Sequence, residues 1–229
     1  IYTWTANPGL NMSGQASGVG ALINQQLLNS SVNYDTVSYS VIPTFTMGGK
    51  TCPGFPFRYL ITVAPSPIVS FAPSKQWICS DDTTQAITLS STTPNCSFTW
   101  NAQNIPSGLS GVSSNGISTI PAMHLINTTK NLLSVQLEAY ANLNGCIGPN
   151  FYDSIYIKPL PSITTTPLVQ VNCSAVPTAL VNFASNPVGS TYTWNLSSHY
   201  QGSSSNMLSN GVGNLPSMSI VNNTTAHDS

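Results

Sequence analysis

The sequence predicts an all-β chain of tandem β-sandwich modules, and three observations carry that expectation. An aromatic-Thr-Trp triplet is written three times, as Tyr2-Thr3-Trp4, Phe98-Thr99-Trp100 and Tyr192-Thr193-Trp194, at intervals of 96 and 94 residues. Other landmarks recur in the same order: Cys52 and Cys146 are 94 residues apart, and so are Cys79 and Cys173. Short apolar stretches alternate with period two, and no segment sustains a helical period. Repetition at a fixed interval makes the repeat the first property to read.

Further landmarks widen the repeat. Pro65-Ser66-Pro67 returns as Pro159-Leu160-Pro161. Leu27-Leu28-Asn29-Ser30-Ser31 returns as Leu125-Ile126-Asn127-Thr128-Thr129 and as Ile220-Val221-Asn222-Asn223-Thr224. The interval drifts between 94 and 98 residues, as it does when loops vary and strands do not. A unit of this size matches an immunoglobulin-like (Ig-like) domain, ~100 residues. The expected division is residues 1–66 as the C-terminal part of a first module, 67–160 as a complete module, and 161–229 as the N-terminal part of a third. The sequence is accordingly expected to be a window on a longer protein.

The elements follow in order. Ile1 to Thr5 is the first Trp strand, in which period two puts both aromatics on one face. Asn7 to Gly20 is a Gly/Ser/Asn-rich loop. Leu22 to Leu28 reads as a strand, with a helical turn as the alternative because Ala, Leu and Gln favour helix. Thr36 to Val41 alternates with Val37, Tyr39 and Val41 inward. A Gly48-Gly49 turn and Cys52-Pro53-Gly54 follow, then a last strand with Phe57, Tyr59, Ile61 and Val63. Pro65 and Pro67 end it and stiffen the linker.

In the second module Ile68 to Phe71 opens the chain, and Trp77-Ile78-Cys79 leads to an Asp81-Asp82 turn. Ile87 and Leu89 alternate, and Pro94-Asn95 turns into the Trp100 strand. Ile105 to Gly116 is a long loop. Ile117 to Ile126 reads as a strand that Pro121 interrupts, at an edge or a bulge. Leu133, Val135, Leu137 and Ala139 alternate with polar neighbours, Asn144-Gly145 makes a turn, and Ile155 and Ile157 close the module. In the third, Val181 and Phe183 match Ile87 and Leu89. Trp4, Trp100 and Trp194 are the expected core plugs.

Composition excludes several functions. Charged residues are 5% of the chain, against ~25% in an average protein, and the net charge is -1. A nucleic-acid backbone needs clustered Lys and Arg, which are absent here. No apolar run reaches the ~20 residues of a membrane helix. Hydrophobic residues at 41% can build a core, so disorder is a poor reading. A polar but uncharged surface suits a fixed assembly or a cell surface.

The landmarks together resemble a known family. Ile78-Cys79-Ser80, the aromatic-Thr-Trp strands, Ser17-Gly18-Val19-Gly20, the apolar pair before Asn-Ser/Thr, Gly145-Cys146-Ile147-Gly148 and the Pro-x-Pro close are similar to the PKD-like repeats of giant surface adhesins. These are the gliding-motility adhesins and related filaments of Bacteroidota, exported by the type IX secretion system. The resemblance implies an Ig-like sandwich, an extracellular, cell-surface location and a string-like tandem architecture. It names no ligand, since one fold hosts many functions. Two features depart from the family pattern: Asn172-Cys173-Ser174 stands where Ile-Cys-Ser is expected, and the loop before Cys52 is longer.

Among chemistry-bearing residues, Cys79, Cys96 and Cys146 are disulfide candidates. Cys79 and Cys146 recur together, which favours pairing them. Cys96 and Cys146 follow turns at one end of a sandwich, which favours that pair instead. A third option joins Cys79 to the hairpin of the next module. Asp81-Asp82 invites comparison with calcium-binding turns, but adjacent carboxylates in a Thr-rich turn are ordinarily just solvated; no metal site is assigned. His124, His199 and His227 form no cluster, and no G-x-S-x-G nucleophile motif occurs. Glu138 and Asp153 are expected exposed on neighbouring strands rather than as an acid-base pair. Eight Asn-x-Ser/Thr sequons (Asn11, Asn29, Asn95, Asn127, Asn172, Asn195, Asn222, Asn223) follow from a composition rich in those residues.

No catalytic residue and no cofactor is expected, so the chain reads as a non-enzyme. Its expected role is a structural and adhesive segment of a long extracellular fibre that attaches to surfaces or other cells. Its partners are neighbouring repeats and identical chains in a multi-chain appendage. The alternatives are a module binding glycan or protein through the loops 101–116 or 195–213, and a non-catalytic spacer of a secreted enzyme.

Overall fold

The structure is a computed structural model that describes residues 1–197 and 208–221. Its regular elements are all strands, and the fold class is the expected one, an all-β chain of Ig-like sandwich type. The chain divides into two compact units. The first comprises Ile1–Ile126 with Leu133–Ile157, and the second Asn127–Leu132 with Lys158–Ser229.

The first unit holds two separate apolar cores. In the smaller, Tyr2–Pro8 lies antiparallel to the long strand Asp35–Met47, which also pairs with Phe57–Val63. Alternation sends Val37 and Tyr39 inward to full burial, with Met12, and Trp4, Ile23, Leu27, Ile61 and Val63 pack around them. The Gly48-Gly49 turn lies between paired Met47 and Lys50, with φ of 59° and 75°. Two successive positive φ angles define the mirror-image turn that matches strand twist, and glycine adopts them without steric cost. Phe57 and Tyr59 are exposed, so only the Ile61–Val63 end of that strand serves the core. Leu22–Leu28 is not a strand; only Leu28–Asn29 pairs, with Met12–Ser13. Within this irregular stretch the Gln25 side chain takes both the N–H and the carbonyl of Ala16, in place of a ladder partner.

The larger core is built by residues from Val69 to Ile157. Its main sheet is centred on Leu133–Leu143, with Ser97–Gln103 on one side and Phe151–Lys158 on the other. Gln76–Cys79 extends the sheet beyond Phe151–Lys158, and Asn115–Ile117 beyond Ser97–Gln103. The opposing layer contains Ser70–Ala72, Ile87–Ser90 and Thr119–Ile120, together with Asp82–Thr83, Leu109–Ser110 and His124–Asn127. Val135, Leu137, Ala139 and Ala141 alternate inward from the central strand onto Trp100, Ile87, Ile120, Leu125, Ile155 and Ile157. Pro121 separates two short strands that pair in different sheets, which explains the interruption seen in the sequence.

In the second unit, Ser162–Thr166 pairs with Asn182–Asn186 and Thr193–Asn195 with Asn210–Val212. His199, His227, Asn222, Asn223, Thr224 and most of the 195–213 loop lie outside the described residues.

Candidate functional site

The sequence repeat is repeated again in contacts. Gln76 Nε2 donates to Gln85 O at 2.9 Å and Gln76 Oε1 accepts from Gln85 N at 2.7 Å; Gln170 and Ala179 make the same pair at 3.0 and 2.7 Å. Met123 N donates to Thr84 Oγ1 at 2.8 Å, as Met218 N does to Thr178 Oγ1 at 2.9 Å. Asn29 Oδ1 accepts from Ser31 N and Oγ while its Nδ2 donates to Asn33 O, and Asn127 treats Thr129 and Asn131 alike. These side chains replace absent ladder partners in irregular backbone, so they are structural. Asn29 and Asn127 are each 5% exposed, which removes two of the sequons from the accessible surface.

Trp100 is 2% exposed in the larger core, Trp4 packs against the smaller one, and Trp194 is partly buried. A glycine faces each indole. A Cβ on Gly18, Gly116 or Gly211 would come within 2.6, 2.8 and 2.3 Å of the rings of Trp4, Trp100 and Trp194. Trp4 Nε1 donates to Ala16 O at 3.0 Å, whereas Nε1 of Trp100 and of Trp194 meets no acceptor among the described residues.

The outer face of the main sheet carries a polar cluster around Glu138. Its carboxylate accepts from Gln103 Nε2 at 2.7 Å, Tyr152 OH at 2.9 Å and Asn150 Nδ2. The Tyr152 hydrogen bond, then that of Gln103, holds the carboxyl below its ordinary range, and the same contact raises the Tyr152 phenol. A shallow cleft of about 450 Å³ beside it is lined by Thr99, Asn101, Asn115, Glu138, Tyr140 and Asn150. The sequence singles out Glu138 but not its partners, because they converge on it from separate segments of the chain.

Asp153 corrects an expectation. It is not exposed beside Glu138 but 7% exposed, paired with Leu137 on the inward face while Glu138 pairs with Tyr152 on the outward one. It accepts from Lys75 N at 3.0 Å. The two carboxylates point to opposite faces and cannot share a proton. Asp81 Oδ1 lies 3.1 Å from His124 Nε2, both side chains exposed, and Asp82 Oδ1 accepts from Thr83 N. Among the described residues no three His, Cys, Asp or Glu side chains converge as metal ligands, and no helix is long and apolar enough to cross a membrane.

The five cysteines stand apart from one another. No disulfide joins any two of the five; Cys96 is partly buried with Sγ 3.2 Å from Thr93 O, and the others are exposed. Register holds both candidate pairs of the sequence reading apart. Lys75 bonds Asp153 and Trp77 stacks on Tyr156 at 4.1 Å, so Gln76–Cys79 runs parallel to Phe151–Lys158. Cys79 therefore lies at the end of the sheet where Leu133 pairs with Ile157, and Cys146 at the other end, opposite Leu143. Ten residues of strand separate them, about 33 Å. Ser97 pairs with Asn142, which brings Cys96 level with Leu143 on the side away from Cys146. Two strand spacings are ~9.5 Å, beyond the ~7 Å Cα separation a disulfide spans.

The join between the two cores of the first unit is packed. Pro65 and Pro67 are fully buried, and Asn144 Nδ2 donates to Tyr34 OH across the join at 3.3 Å. A Cβ on Gly148 would run into the Pro67 carbonyl, so this turn needs glycine.

Comparison with known proteins agrees with a PKD-like repeat at the start of the chain: a PKD-like domain model matches residues 1–67. No curated protein matches the chain. Solved structures matched by the chain include protocadherin gamma B2 extracellular cadherin domains 1–5 (12% identity, TM-score 0.31, 99% of this chain and 46% of that one). Human CDH23 EC21–23 (10%, 0.34, 99% and 86%) and the titin I-band fragment I67–I69 (12%, 0.33, 98% and 78%) are others. The chain spans about half the length of the first of these.

Proposed function

We propose that the chain is a structural and adhesive segment of an extracellular surface fibre, made of modules at residues 1–66, 67–160 and 161–229. The repetition of the same side-chain hydrogen bonds at Gln76/Gln170 and Thr84/Thr178 carries this reading. A chain that copies its internal scaffolding, and not a site, gains reach from copy number. The PKD-like match and the resemblance to type IX-secreted gliding adhesins of Bacteroidota support the cell-surface placement. Neighbouring repeats are the first partners, and identical chains in one appendage the second. The chain has no catalytic role in this reading. Electron microscopy of the native protein tests it: beaded fibres support it, and a compact particle overturns it.

The Glu138 cleft favours a second reading, in which the outer sheet face holds a neutral glycan through Asn101, Asn115 and Tyr140. Glycan-array binding that Tyr140→Ala abolishes would support it; an array without signal would remove it.

A further inference from the structure

We propose that the repeats are stapled across their joints: the hairpin cysteine of one repeat bonds to the Ile-Cys-Ser cysteine of the repeat before it. The inference rests on the tandem reading above. It starts from the opposite poles that Cys79 and Cys146 occupy. Cys146 follows the Asn144-Gly145 turn, whose φ angles of 49° and 93° fold the chain back at the N-terminal pole, where Gly148 sits on Pro67. Cys79 lies at the C-terminal pole, just before Asp81 N donates to Leu125 O at 2.9 Å.

The join inside the first unit shows what meets what. The hairpin of the second module reaches Tyr34, which follows Leu27 and the Asn29 turn at the C-terminal pole of the first. Leu27 is the repeat counterpart of Leu125. The hairpin cysteine of one copy thus sits over the pole of the preceding copy that carries the Ile-Cys-Ser cysteine. Both thiols are exposed there, and both recur at the same 94-residue interval, as Cys52 with Cys146 and Cys79 with Cys173. Cys96, which has no counterpart in the third module (Ser190), stays a thiol.

The step balances as thiol–disulfide exchange. Two thiols lose two protons and two electrons to an oxidised thiol-oxidoreductase or a glutathione disulfide, which is reduced to two thiols, and one S–S bond forms across the joint. The structural consequence is a covalent tie in parallel with the Pro-x-Pro linker, so a pulled joint cannot open before a bond breaks.

Peptide mapping of the native protein, alkylated and digested without reductant, tests this. The four cysteine contexts differ (Thr51-Cys52-Pro53, Ile78-Cys79-Ser80, Cys146-Ile147, Asn172-Cys173-Ser174), so each link is readable. The expected result is Cys146 joined to an Ile-Cys-Ser-type peptide of the preceding repeat, with none of the five cysteines here bonded to another of the five. A Cys79–Cys146 or Cys96–Cys146 link, or uniformly alkylated thiols in protein taken from an oxidising medium, overturns it. Such a result leaves the fibre reading standing, which only the microscopy result addresses.

Discussion

The Asp153 carboxylate accepts the backbone N–H of Lys75, 78 residues earlier in the chain, at 3.0 and 3.3 Å from its two oxygens. Lys75 has a φ of 50° and lies where the chain leaves the Ser70–Ala72 strand of one sheet for the Gln76–Cys79 strand of the other. The carboxylate satisfies a donor that neither ladder can reach. Asp153→Ala leaves that N–H unmet and should cost about 1–3 kcal/mol. Asp153→Asn keeps an acceptor and should cost less, and denaturant unfolding of the two variants reads the difference.

Trp100 and Trp77 should respond differently to the same truncation. Trp100 is enclosed by both layers, so Trp100→Ala should cost ~3–5 kcal/mol. Trp77 is 54% exposed and stacks on Tyr156, so Trp77→Ala should cost ~0.5–1.5 kcal/mol. Equal shifts in melting temperature would contradict the assignment of Trp100 to the core.

The indole–glycine pairing makes a prediction about volume alone. Gly116→Ala puts a methyl 2.8 Å from the Trp100 ring in paired strand and should cost ~1–3 kcal/mol. Gly49→Ala meets no atom within 4 Å, and its cost comes only from φ of 75°, about 1 kcal/mol. Urea titration of both separates crowding from backbone strain.

The Glu138 cluster sets a pH window. The folded carboxyl is depressed by its hydrogen bonds, so its contribution is present above the unfolded value near 4.3 and is lost as pH falls through the folded value. Tyr152 is raised, so its part is present below an unfolded value near 10 and is lost as pH rises through the folded one. Glu138→Gln should flatten the acid limb of the stability–pH curve and leave the neutral region little changed.

Much of the fold was legible because its signals are local. The Trp100 strand, the Val135–Ala139 alternation and the Gly48-Gly49 and Asn144-Gly145 turns are each fixed by a few consecutive residues. What was not legible depends on pairing between distant strands. The parallel docking of Gln76–Cys79 on Phe151–Lys158 decides where Cys79 sits and buries Asp153, and nothing near Cys79 announces it. The Glu138 cluster was hidden for the same reason: Gln103, Glu138, Asn150 and Tyr152 meet only once the sheet is assembled. Leu22–Leu28 misled because Ile23 and Leu27 reach the small core from an irregular loop while Leu22 and Leu28 stay exposed.

Electron microscopy of the native protein taken from the cell surface tests the central claim most directly. In the proposed 67–160 module, the two poles stand apart by the length of the Leu133–Leu143 strand. The account therefore predicts beaded fibres, single or bundled, with a bead spacing of roughly 35–45 Å. A compact particle with no regular spacing would contradict it.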